Sequence, residues 1–402
     1  MKIAVIGGGA SGMMSAITAA KNGAEVTLIE KNEKLGKKIY ITGKGRCNVL
    51  NFCSPDEFLS NVVNNEKFMF SAINKFSPYD AYAFFDKLLP LKIERGNRVF
   101  PESDKSNDVN KALERELKNC GVKIVLNCNV TAICGEENAY IVKTEKGEYF
   151  ADRVIVATGG KSYPSTGSTG DGYKFAKSFG LNVVEPKPAL CAIITKQSVK
   201  QIEGITLKNV ELSAYKGEKR IRSEFGEMLF TANGVSGPIS LTLSSYIGRL
   251  SGVRLKLDFK PSLSVEQLDN RLLRELADAN RKVLKSVVRS LLPERLVAYV
   301  LKECSLSGEK PLAQVTKEDR QKLVSVLKGL TFDVKELAPF EQAIITSGGV
   351  DVKCLTPQME CKDKKGLYFV GETIDVDALT GGFNLQIAFS TGYVAGVKAS
   401  SK

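Results

Sequence analysis

The chain has 402 residues and contains no histidine. Catalytic triads and dyads that depend on histidine are therefore excluded, and so are metal sites that need imidazole ligands. Any proton transfer has to use Asp, Glu, Tyr, Lys, Cys, Arg, water or a bound cofactor. We expect no metal ion in this protein.

Long apolar runs are also missing, and the nine cysteines form no C-x-x-C pair. A membrane-spanning helix needs about 20 consecutive apolar residues, so we expect no membrane segment. An odd, scattered set of cysteines is typical of reduced thiols in a cytosolic protein, not of a disulfide framework. Four glycines within residues 7–12 argue against reading the N-terminus as a signal peptide. The sequence therefore predicts a cytoplasmic protein.

Acidic residues are in the minority, since 45 Asp and Glu face 57 Lys and Arg and leave a net charge of +12. The basic residues are spread along the whole chain, so the excess need not form one patch. Such a balance suits anionic partners, among them dinucleotides and acidic substrates. No recognised nucleic-acid-binding motif accompanies the charge, which disfavours a nucleic-acid partner. A monomer is the favoured oligomeric state.

The N-terminal 30 residues have the pattern of a dinucleotide-binding βαβ unit. An apolar strand is predicted at residues 3–6, a helix at 10–22 and a second strand at 26–29. Between the first strand and the helix, residues 7–12 read Gly-Gly-Gly-Ala-Ser-Gly and match G-x-G-x-x-G. Glu30 follows the second strand, 18 residues beyond Gly12. This combination predicts a Rossmann-type nucleotide site.

Each part of this motif has a physical role. Gly7 permits the tight turn, Gly9 lets the backbone approach a pyrophosphate, and Gly12 lets helix and strand pack closely. The helix N-terminus offers N–H groups and partial positive charge to the phosphates. Glu30 is suited to accept hydrogen bonds from ribose hydroxyls. The candidate nucleotide contacts in this region are Gly7, Gly9, Ala10, Ser11, Gly12, Glu30 and Lys31. A glycine-rich turn without a ligand is the alternative, and the motif alone does not separate NAD from FAD.

Further motifs follow along the chain, at residues 43–48 (Gly-Lys-Gly-Arg-Cys-Asn), 97–103, 157–164, 226–231, 371–375 and 381–386 (Gly-Gly-Phe-Asn-Leu-Gln). Taken in this order, they closely resemble the BaiN-like family of FAD-dependent oxidoreductases, also called YhiN-like or aminoacetone-oxidase-like. The resemblance covers essentially the whole chain. The activity attributed to the family is reduction of conjugated C=C bonds in oxo-bile-acid intermediates.

The resemblance implies an α/β fold, with a Rossmann-type FAD-binding domain of the glutathione-reductase/fumarate-reductase group. Into it are inserted a β-rich domain and a nested small helical domain. We predict the FAD domain at residues 1–189 plus 345–402, the β-rich domain at 190–262 plus 331–344, and the helical subdomain at 263–330. In the middle of the chain, residues 205–215 and 219–225 predict a hairpin, and 264–267 and 316–319 predict helix N-termini.

Two segments carry the cofactor contacts that the resemblance adds. In the loop 43–48, Arg46 is the candidate cation for the diphosphate or the flavin, with a solvated loop arginine as the alternative. Cys47 is expected to pack beside the cofactor, because no second cysteine stands at redox-motif spacing. Near the C-terminus, an apolar strand ends at Glu372, whose carboxylate would bind the ribityl or diphosphate groups. Residues 381–386 would then open a helix whose first N–H groups face the flavin O2/N1 edge, where negative charge develops on reduction.

The remaining candidates follow the same motifs. Val130 would meet the adenine through backbone groups, and residues 158–160 end a strand that returns to the dinucleotide. The further candidate FAD contacts are Gly45, Arg46, Cys47, Asn48, Val130, Thr158, Gly159, Gly160, Gly371, Glu372, Gly382, Asn384, Leu385 and Gln386.

The chain departs from the family at two positions. Ala232 stands where a histidine is common, and Ile387 stands where a tryptophan is often found. Family substrates therefore transfer poorly, whereas the FAD prediction is hardly affected.

We predict an FAD-dependent oxidoreductase that acts on a small organic substrate by hydride transfer at flavin N5, with reduction of a conjugated C=C bond as the candidate reaction. NAD(P)H is the candidate transient reductant. Because no second G-x-G-x-x-G follows a strand, a reductant would dock directly on the flavin, or electrons would arrive from the substrate or a redox protein. Tyr163, Arg98 and Asp375 are candidates for proton transfer or substrate orientation, since they lie in the recognised motifs. The alternatives are an FAD-bound nucleic-acid-associated protein and a non-catalytic flavin-binding scaffold.

Overall fold

The computed structural model describes residues 1–136, 138–277 and 282–401. The chain divides into two compact units, which are described separately: Met1–Pro188 with Pro339–Lys402, and Ala189–Ala338.

The strands of the described residues are as follows, in chain order: β1 Lys2–Ile6, β2 Glu25–Ile29, β3 Leu50–Asn51, β4 Val62–Asn64, β5 Leu91–Glu94, β6 Arg98–Pro101, β7 Lys123–Val125, β8 Val130–Cys134, β9 Tyr140–Thr144, β10 Gly147–Ala151, β11 Arg153–Val156, β12 Val183–Ala189, β13 Ile193–Thr195, β14 Thr206–Lys216, β15 Lys219–Thr231, β16 Gly234–Ser236, β17 Val253–Asp258, β18 Leu330–Leu337, β19 Ile345–Val350, β20 Leu367–Phe369 and β21 Asp377–Ala378. The helices are α1 Ala10–Lys21, α2 Lys37–Ile41, α3 Pro55–Ser60, α4 Glu66–Lys75, α5 Pro78–Asp86, α6 Ser106–Asn119, α7 Asp171–Ser178, α8 Pro238–Ile247, α9 Val265–Leu276, α10 Leu284–Arg289, α11 Glu294–Glu303, α12 Lys317–Leu327 and α13 Phe383–Ser400.

A five-stranded sheet, in the order β20-β11-β1-β2-β7, forms the centre of the first unit. Every neighbouring pair in it is parallel. Strands covered on both faces need continuous apolar runs, and β1 fits this requirement because only its first residue, Lys2, is exposed. The carboxyl ends of these strands lead into the Gly7–Gly12 loop, Glu30 and Gly371, so ligand-binding loops gather at one edge of the sheet.

Helices α1 and α13 pack against each other through glycines. A Cβ on Gly392 would lie 2.5 Å from the carbonyl oxygen of Ser11, and one on Gly396 would lie 2.7 Å from that of Ser15. Both contacts advance four residues along each helix, so the two helices run parallel. The C-terminal helix thereby packs beside the first helix, and the N-termini of both helices point the same way.

A small antiparallel sheet, β3-β6-β5, and the two-stranded pair β21-β4 also belong to the first unit. In the small sheet, Asn51 lies opposite Arg98 and Leu50 opposite Val99. The second contact buries Leu50 and Val99, whereas Arg98 remains exposed.

A closed barrel, β13-β16-β15-β14-β17-β18, forms the second unit together with α8–α12. Alternation along β17 places Val253, Leu255 and Leu257 inside and leaves Arg254 and Lys256 outside. The barrel core is continuous with buried residues of the helices, for example Leu284 and Leu323. The helical segment that we predicted as a nested domain therefore shares its core with the β-rich part.

The predicted fold class is confirmed. The hairpin is present, with β15 continuing to Thr231, six residues beyond its predicted end. Capping boxes begin α9 at Ser264 and α12 at Thr316, as predicted. Two boundaries differ from the prediction: residues 339–344, assigned to the β-rich domain, belong to the first unit, and Ala189, assigned to the FAD domain, belongs to the second. Residues 278–281 of the predicted helical stretch lie outside the described residues.

Candidate functional site

The three motif glycines of the Gly7–Gly12 loop have two kinds of surroundings. A Cβ on Gly7 would lie 2.5 Å from the carbonyl oxygen of Ala157, and one on Gly12 would lie 1.9 Å from that of Gly7. At Gly9, by contrast, a Cβ would meet no atom within 4 Å. The chain itself therefore requires glycine at positions 7 and 12. The open space beside Gly9 lies at the N-terminus of α1, where a phosphate group would bind.

Glu30 holds this loop from the end of β2. Its carboxylate accepts hydrogen bonds from the Gly8 N–H at 2.6 Å and from the Asn32 N–H at 2.8 Å. The side chain is 7% exposed. The next residue, Lys31, forms an ion pair with Asp171 at 2.7 Å. Glu30 thus stands at the edge of the sheet where the sequence placed a ribose-binding acid.

Three candidate residues carry buried oxygen atoms without a hydrogen-bond partner. These are the Thr158 hydroxyl, which follows β11, the side-chain oxygen of Asn48, which precedes β3, and the side-chain oxygen of Gln386 in α13. The first N–H groups of a helix also have no partner within the helix, which leaves donors at the start of α1. The open space at Gly9 and these unsatisfied donors and acceptors fit a bound dinucleotide.

The N-terminus of α13 forms a second end of the site. Gly382 precedes it with φ +102°, and a Cβ there would lie 2.4 Å from the Leu50 carbonyl carbon, so only glycine fits. Asn51 donates a hydrogen bond of 3.1 Å to the Gly381 carbonyl. Because Gly392 lies against Ser11, α13 begins roughly 12 Å before α1 along their shared direction, at 1.5 Å per residue. An extended dinucleotide bound here would be long enough to reach from one helix N-terminus to the other.

The first turn of α13 contains three candidate residues with different surroundings. The Asn384 side chain accepts a hydrogen bond from the Ala378 N–H and donates one to its carbonyl, so it holds the preceding loop. Leu385 is half-buried. Gln386 is fully buried and donates hydrogen bonds to Ser390 and to the Phe76 carbonyl. Its backbone N–H bonds to the Gly382 carbonyl, so its donor groups have structural partners. Its side-chain oxygen has no hydrogen-bond partner, and the assignment of Gln386 to the cofactor stays a prediction.

Glu372 lies in a polar network after β20. Its carboxylate accepts hydrogen bonds from Ser162 at 2.8 Å and from the Thr346 N–H at 2.7 Å, and it pairs with Lys38 at 2.6 Å. A Cβ on Gly160 would lie 2.9 Å from the same carboxylate, which explains why the chain needs glycine there. Lys38 neutralises the Glu372 carboxylate, and the sequence analysis did not identify it. The only sequence pattern that could have indicated it is the lysine pair 37–38 shortly before the 43–48 loop.

The remaining candidates near Glu372 support the same loops. Gly371 has φ +64°, and a Cβ there would lie 2.5 Å from the Ser11 hydroxyl, so the strand end is pressed against α1. The Gly159 N–H donates to the Thr373 hydroxyl at 3.1 Å. Val130 is buried at the start of β8.

Arg46 has internal partners. Its guanidinium donates hydrogen bonds to Glu94 and to Asp104, and it lies 4.2 Å from the centre of the Phe100 ring. The hydrogen bond to Arg46 lowers the pKa of Glu94. The hydrogen bond to Lys92 and, to a smaller extent, that to Arg46 lower the pKa of Asp104. Two ionised carboxylates therefore already compensate Arg46, and we no longer assign this guanidinium to the diphosphate. Gly45, just before it, has no atom within 4 Å of a Cβ position.

Cys47 is fully buried and has φ +59°. Burial raises the pKa of its thiol to about 12. The thiol stays protonated at neutral pH and cannot act as a nucleophile, because the thiolate is the reactive form. This agrees with the packing role expected for Cys47.

Alkylation is expected to separate Cys47 from Cys134. Cys134 is exposed, whereas Cys47 is buried and protonated. With iodoacetamide at pH 8, mass spectrometry of the folded protein should find Cys134 carbamidomethylated and Cys47 unmodified, and unfolding in urea should expose both. Rapid labelling of native Cys47 would contradict its burial.

The structure separates the three candidate catalytic residues. Arg98 lies on β6 beside Asn51, which bonds to the loop before α13. Tyr163 follows the β11 loop, has φ +52°, and donates its N–H to the Phe340 carbonyl. Asp375 is 4% exposed and accepts a hydrogen bond from Asn65 at 3.1 Å. Of the three, Arg98 is the exposed cation at the α13 end of the site.

No group of three or more potential metal ligands comes together within residues 1–136, 138–277 and 282–401. Over the same residues, no helix combines the length and the apolar surface that crossing a membrane requires.

A parallel sheet with a glycine loop at α1, an acid after β2 and a second helix N-terminus is the arrangement of a flavin-dependent oxidoreductase with a Rossmann-type FAD domain. Comparison with known proteins agrees. Residues 1–398 match the family described as HI0933-like protein Rossmann domain, and the chain belongs to this family.

Relatives over the full length have two different names. The chain is 30% identical over 409 residues to the 3-dehydro-bile acid delta(4,6)-reductase of Clostridium scindens, covering 100% of this chain and 99% of the relative. It is 29% identical over 413 residues to the ribosomal RNA dihydrouridine synthase of Haemophilus influenzae, covering 98% of each. Among solved structures, the chain is similar to the 3-ketosteroid-delta4-(5alpha)-dehydrogenase of Rhodococcus jostii, with a TM-score of 0.55 and 15% identity. The match covers 100% of this chain and 96% of that structure's chain, so the two share the fold.

Proposed function

We propose that the protein reduces a carbon–carbon double bond conjugated to a carbonyl group. The names of the two relatives support this reaction class. One denotes reduction of the double bonds of an oxo-steroid acid. The other denotes saturation of a uracil ring, whose C5=C6 bond lies beside the C4 carbonyl. The two substrates differ in size and charge but share this reacting group.

The reaction places specific demands on the chain. Bound FAD, once reduced by NAD(P)H, would supply a hydride to the alkene carbon further from the carbonyl. Negative charge then develops on the carbonyl oxygen, so the protein has to place a hydrogen-bond donor there. A proton must reach the remaining carbon, and the chain offers no histidine for this step.

Arg98 is the donor that the geometry supports best, and this observation carries the proposal. Its Nε donates a 3.0 Å hydrogen bond to the Arg95 carbonyl. No other hydrogen bond or ion pair engages its guanidinium within the described part of the chain, and the side chain is exposed. It lies opposite Asn51, which bonds to Gly381 before α13. Arg98 therefore offers free N–H groups at the end of the site assigned to the flavin ring.

The other candidates fit proton transfer less well. Asp375 is buried and bonded to Asn65, so it cannot reach a substrate from its present position. The backbone of Tyr163 forms hydrogen bonds with Phe340 and Thr166. No described contact joins Tyr163 to Arg98. Because Arg98 is exposed, solvent reaches its surroundings, and we assign the proton to water.

Uracil in RNA is the second candidate substrate, favoured by the distribution of charge. Residues 189–338 contain 25 of the 57 basic residues and 17 of the 45 acidic ones, so this unit has +8 of the net charge of +12. Two thirds of the net charge therefore lies in this unit, although the basic residues are spread along the whole chain. A polyanion is attracted to such a unit through its phosphates.

The test uses the purified, FAD-reconstituted chain under anaerobic conditions. NADH and NADPH are each mixed with the protein while flavin absorbance is followed, and we expect bleaching by at least one of them. The reduced protein is then mixed with 2-cyclohexenone or with a uridine-containing RNA transcript. Reoxidation by either, with the saturated product identified by mass spectrometry, supports the proposal and selects the substrate class. Dithionite-reduced protein that neither compound reoxidises would contradict it.

A further inference from the structure

The outer face of the barrel brings an aromatic side chain between two arginines. In the register of β14, Tyr215 lies opposite Arg220 of β15 on one side and opposite Arg254 of β17 on the other. Directly opposite residues in an antiparallel sheet share a face. The pairing with Arg254 is regular, whereas the pairing with Arg220 follows a one-residue register shift in β15. We call Arg220, Tyr215 and Arg254 the Arg–Tyr–Arg row. Strands β15 and β17, which flank β14, lie about 10 Å apart, twice the interstrand spacing.

The adjacent row continues the same chemistry. Ser213 lies opposite Ser223 and Lys256, and the two serine hydroxyls are hydrogen-bonded at 2.9 Å. In the intervening row Ala214 and Leu255 are buried in the barrel, whereas Arg222, opposite Ala214, is exposed and bonds to Glu224. The Arg–Tyr–Arg row therefore belongs to the outer surface, whereas Ser213 is itself buried.

The cations of this face are available to a ligand. Arg220 and Lys256 are exposed and have no hydrogen bond or ion pair within the part of the chain that the structure describes, and the same holds for Lys216 and Lys219 at the hairpin tip. Arg254 contacts Asp333 at 3.3 Å, but its side chain is 64% exposed.

The acids of the same face are largely compensated or distant. Asp258 pairs with Lys328 at 2.5 Å. Glu211 lies opposite Asp258, two residues before Ser213 on β14 and four before Tyr215. The end of the face that contains Tyr215 is therefore positive. Phe225, opposite Glu211, adds a second aromatic ring that is 63% exposed.

We propose that this face binds single-stranded nucleic acid, with one base stacked on Tyr215 and phosphates bound by Arg220, Arg254 and Lys256. Sequence-tolerant single-strand binding combines aromatic rings, on which bases stack, with cations that follow the backbone. The bases of a duplex are stacked inside it and cannot reach Tyr215. A duplex would therefore contact only the cations of this face. The inference rests on the RNA candidate of the proposed function, and it names the surface that would hold the RNA outside the reacting site.

Binding is measured with the full FAD-loaded chain and a fluorescein-labelled 12-nucleotide oligouridylate, by anisotropy at several salt concentrations. Tyr215→Ser is expected to weaken binding at least about fivefold, the low end of the loss for one stacked base, whereas Tyr215→Phe keeps the ring and should bind normally. Arg220→Gln/Lys256→Gln removes two phosphate contacts and should reduce the slope of log K against log salt by about 1.4.

The matched control is Lys67→Gln/Lys75→Gln, which removes two exposed lysines of α4 in the other unit. It changes the net charge equally and should leave binding within about twofold of the unchanged protein. Flavin absorbance of every variant checks that the protein is folded. Equal losses in the control pair and the barrel pair, or a Tyr215→Ser variant that binds normally, would overturn the inference. So would duplex RNA that binds as tightly as the single strand.

The readouts separate this inference from the proposed reaction. If the oligonucleotide binds through Tyr215 but reduced flavin is never reoxidised by RNA, the surface stands and uracil reduction fails. If RNA reoxidises the flavin and the Tyr215 and Arg220 variants bind and react normally, the reaction stands and this surface is wrong.

Discussion

Replacing Gly9 by valine is expected to abolish tight FAD binding while leaving the apoprotein as stable as before. A Cβ at this position meets no atom of the chain within 4 Å, and Gly9 has φ −82°, which any residue adopts. The added methyl groups would occupy the space predicted for the diphosphate. Losing two charge-assisted hydrogen bonds, each about 1.5–3 kcal/mol, corresponds to at least about a hundredfold loss of affinity.

Gly12→Ala is the contrasting variant in the same loop. Its new Cβ would lie 1.9 Å from the Gly7 carbonyl oxygen, so helix and strand have to separate. Overpacking of this kind costs about 1–3 kcal/mol of folding free energy. Urea unfolding of both apoproteins, followed by circular dichroism, and FAD titration followed by flavin fluorescence distinguish the two effects. FAD bound by Gly9→Val with unchanged affinity would show that the diphosphate does not lie there.

Arg98→Ala is expected to slow reoxidation of the reduced flavin by 2-cyclohexenone by about 10²–10³, the usual cost of removing one donor to a developing oxyanion. The flavin spectrum and the rate of reduction by NAD(P)H should stay unchanged, because Arg98 is assigned to the substrate oxygen. Rapid-mixing absorbance measures both half-reactions separately.

Arg95→Ala is the matched control for Arg98. Arg95 is exposed on the same hairpin and contacts Arg98 only through its backbone carbonyl. It should react at the normal rate, whereas Arg98→Lys should recover part of the lost rate because it restores a positive donor. Equal rates in the Arg98→Ala and Arg95→Ala variants would remove Arg98 from the proposed reaction.

The parts of the fold that depend on neighbouring residues were predictable from the sequence. The glycine loop, the helix behind it, the second strand and Glu30 lie within the first 30 residues, and local periodicity and turn chemistry suffice to identify them. The hairpin before Lys219 and the capping boxes at Ser264 and Thr316 are local in the same sense.

The sequence did not indicate the surroundings of residues whose partners are distant in the chain. Arg46 was assigned to the cofactor because nothing near it in sequence indicates pairing with Glu94 and Asp104, 48 and 58 residues away. The role of Gln386 depends on the carbonyl of Phe76, 310 residues away. Tertiary contacts of this kind leave no local pattern, so a polar residue in a recognised motif is easily mistaken for a ligand contact.

The charge distribution shows the same limitation. Basic residues are spread along the sequence, and this made a basic surface look improbable. Strand register nevertheless places Arg220 and Arg254 on either side of Tyr215, although they are 34 residues apart in sequence. A sheet brings together residues from several strands, so an even linear distribution does not exclude a concentrated patch.

The packing of α1 against α13 also imposes an order on biosynthesis. Gly12 leaves the ribosome 380 residues before Gly392, which is roughly 20–75 s at ordinary translation rates. During that interval the second unit, Ala189–Ala338, is complete and has its own core, whereas the nascent first helix still lacks its partner. The cofactor site should therefore form last, and apoprotein chains stalled before residue 383 should be the ones that chaperones retain.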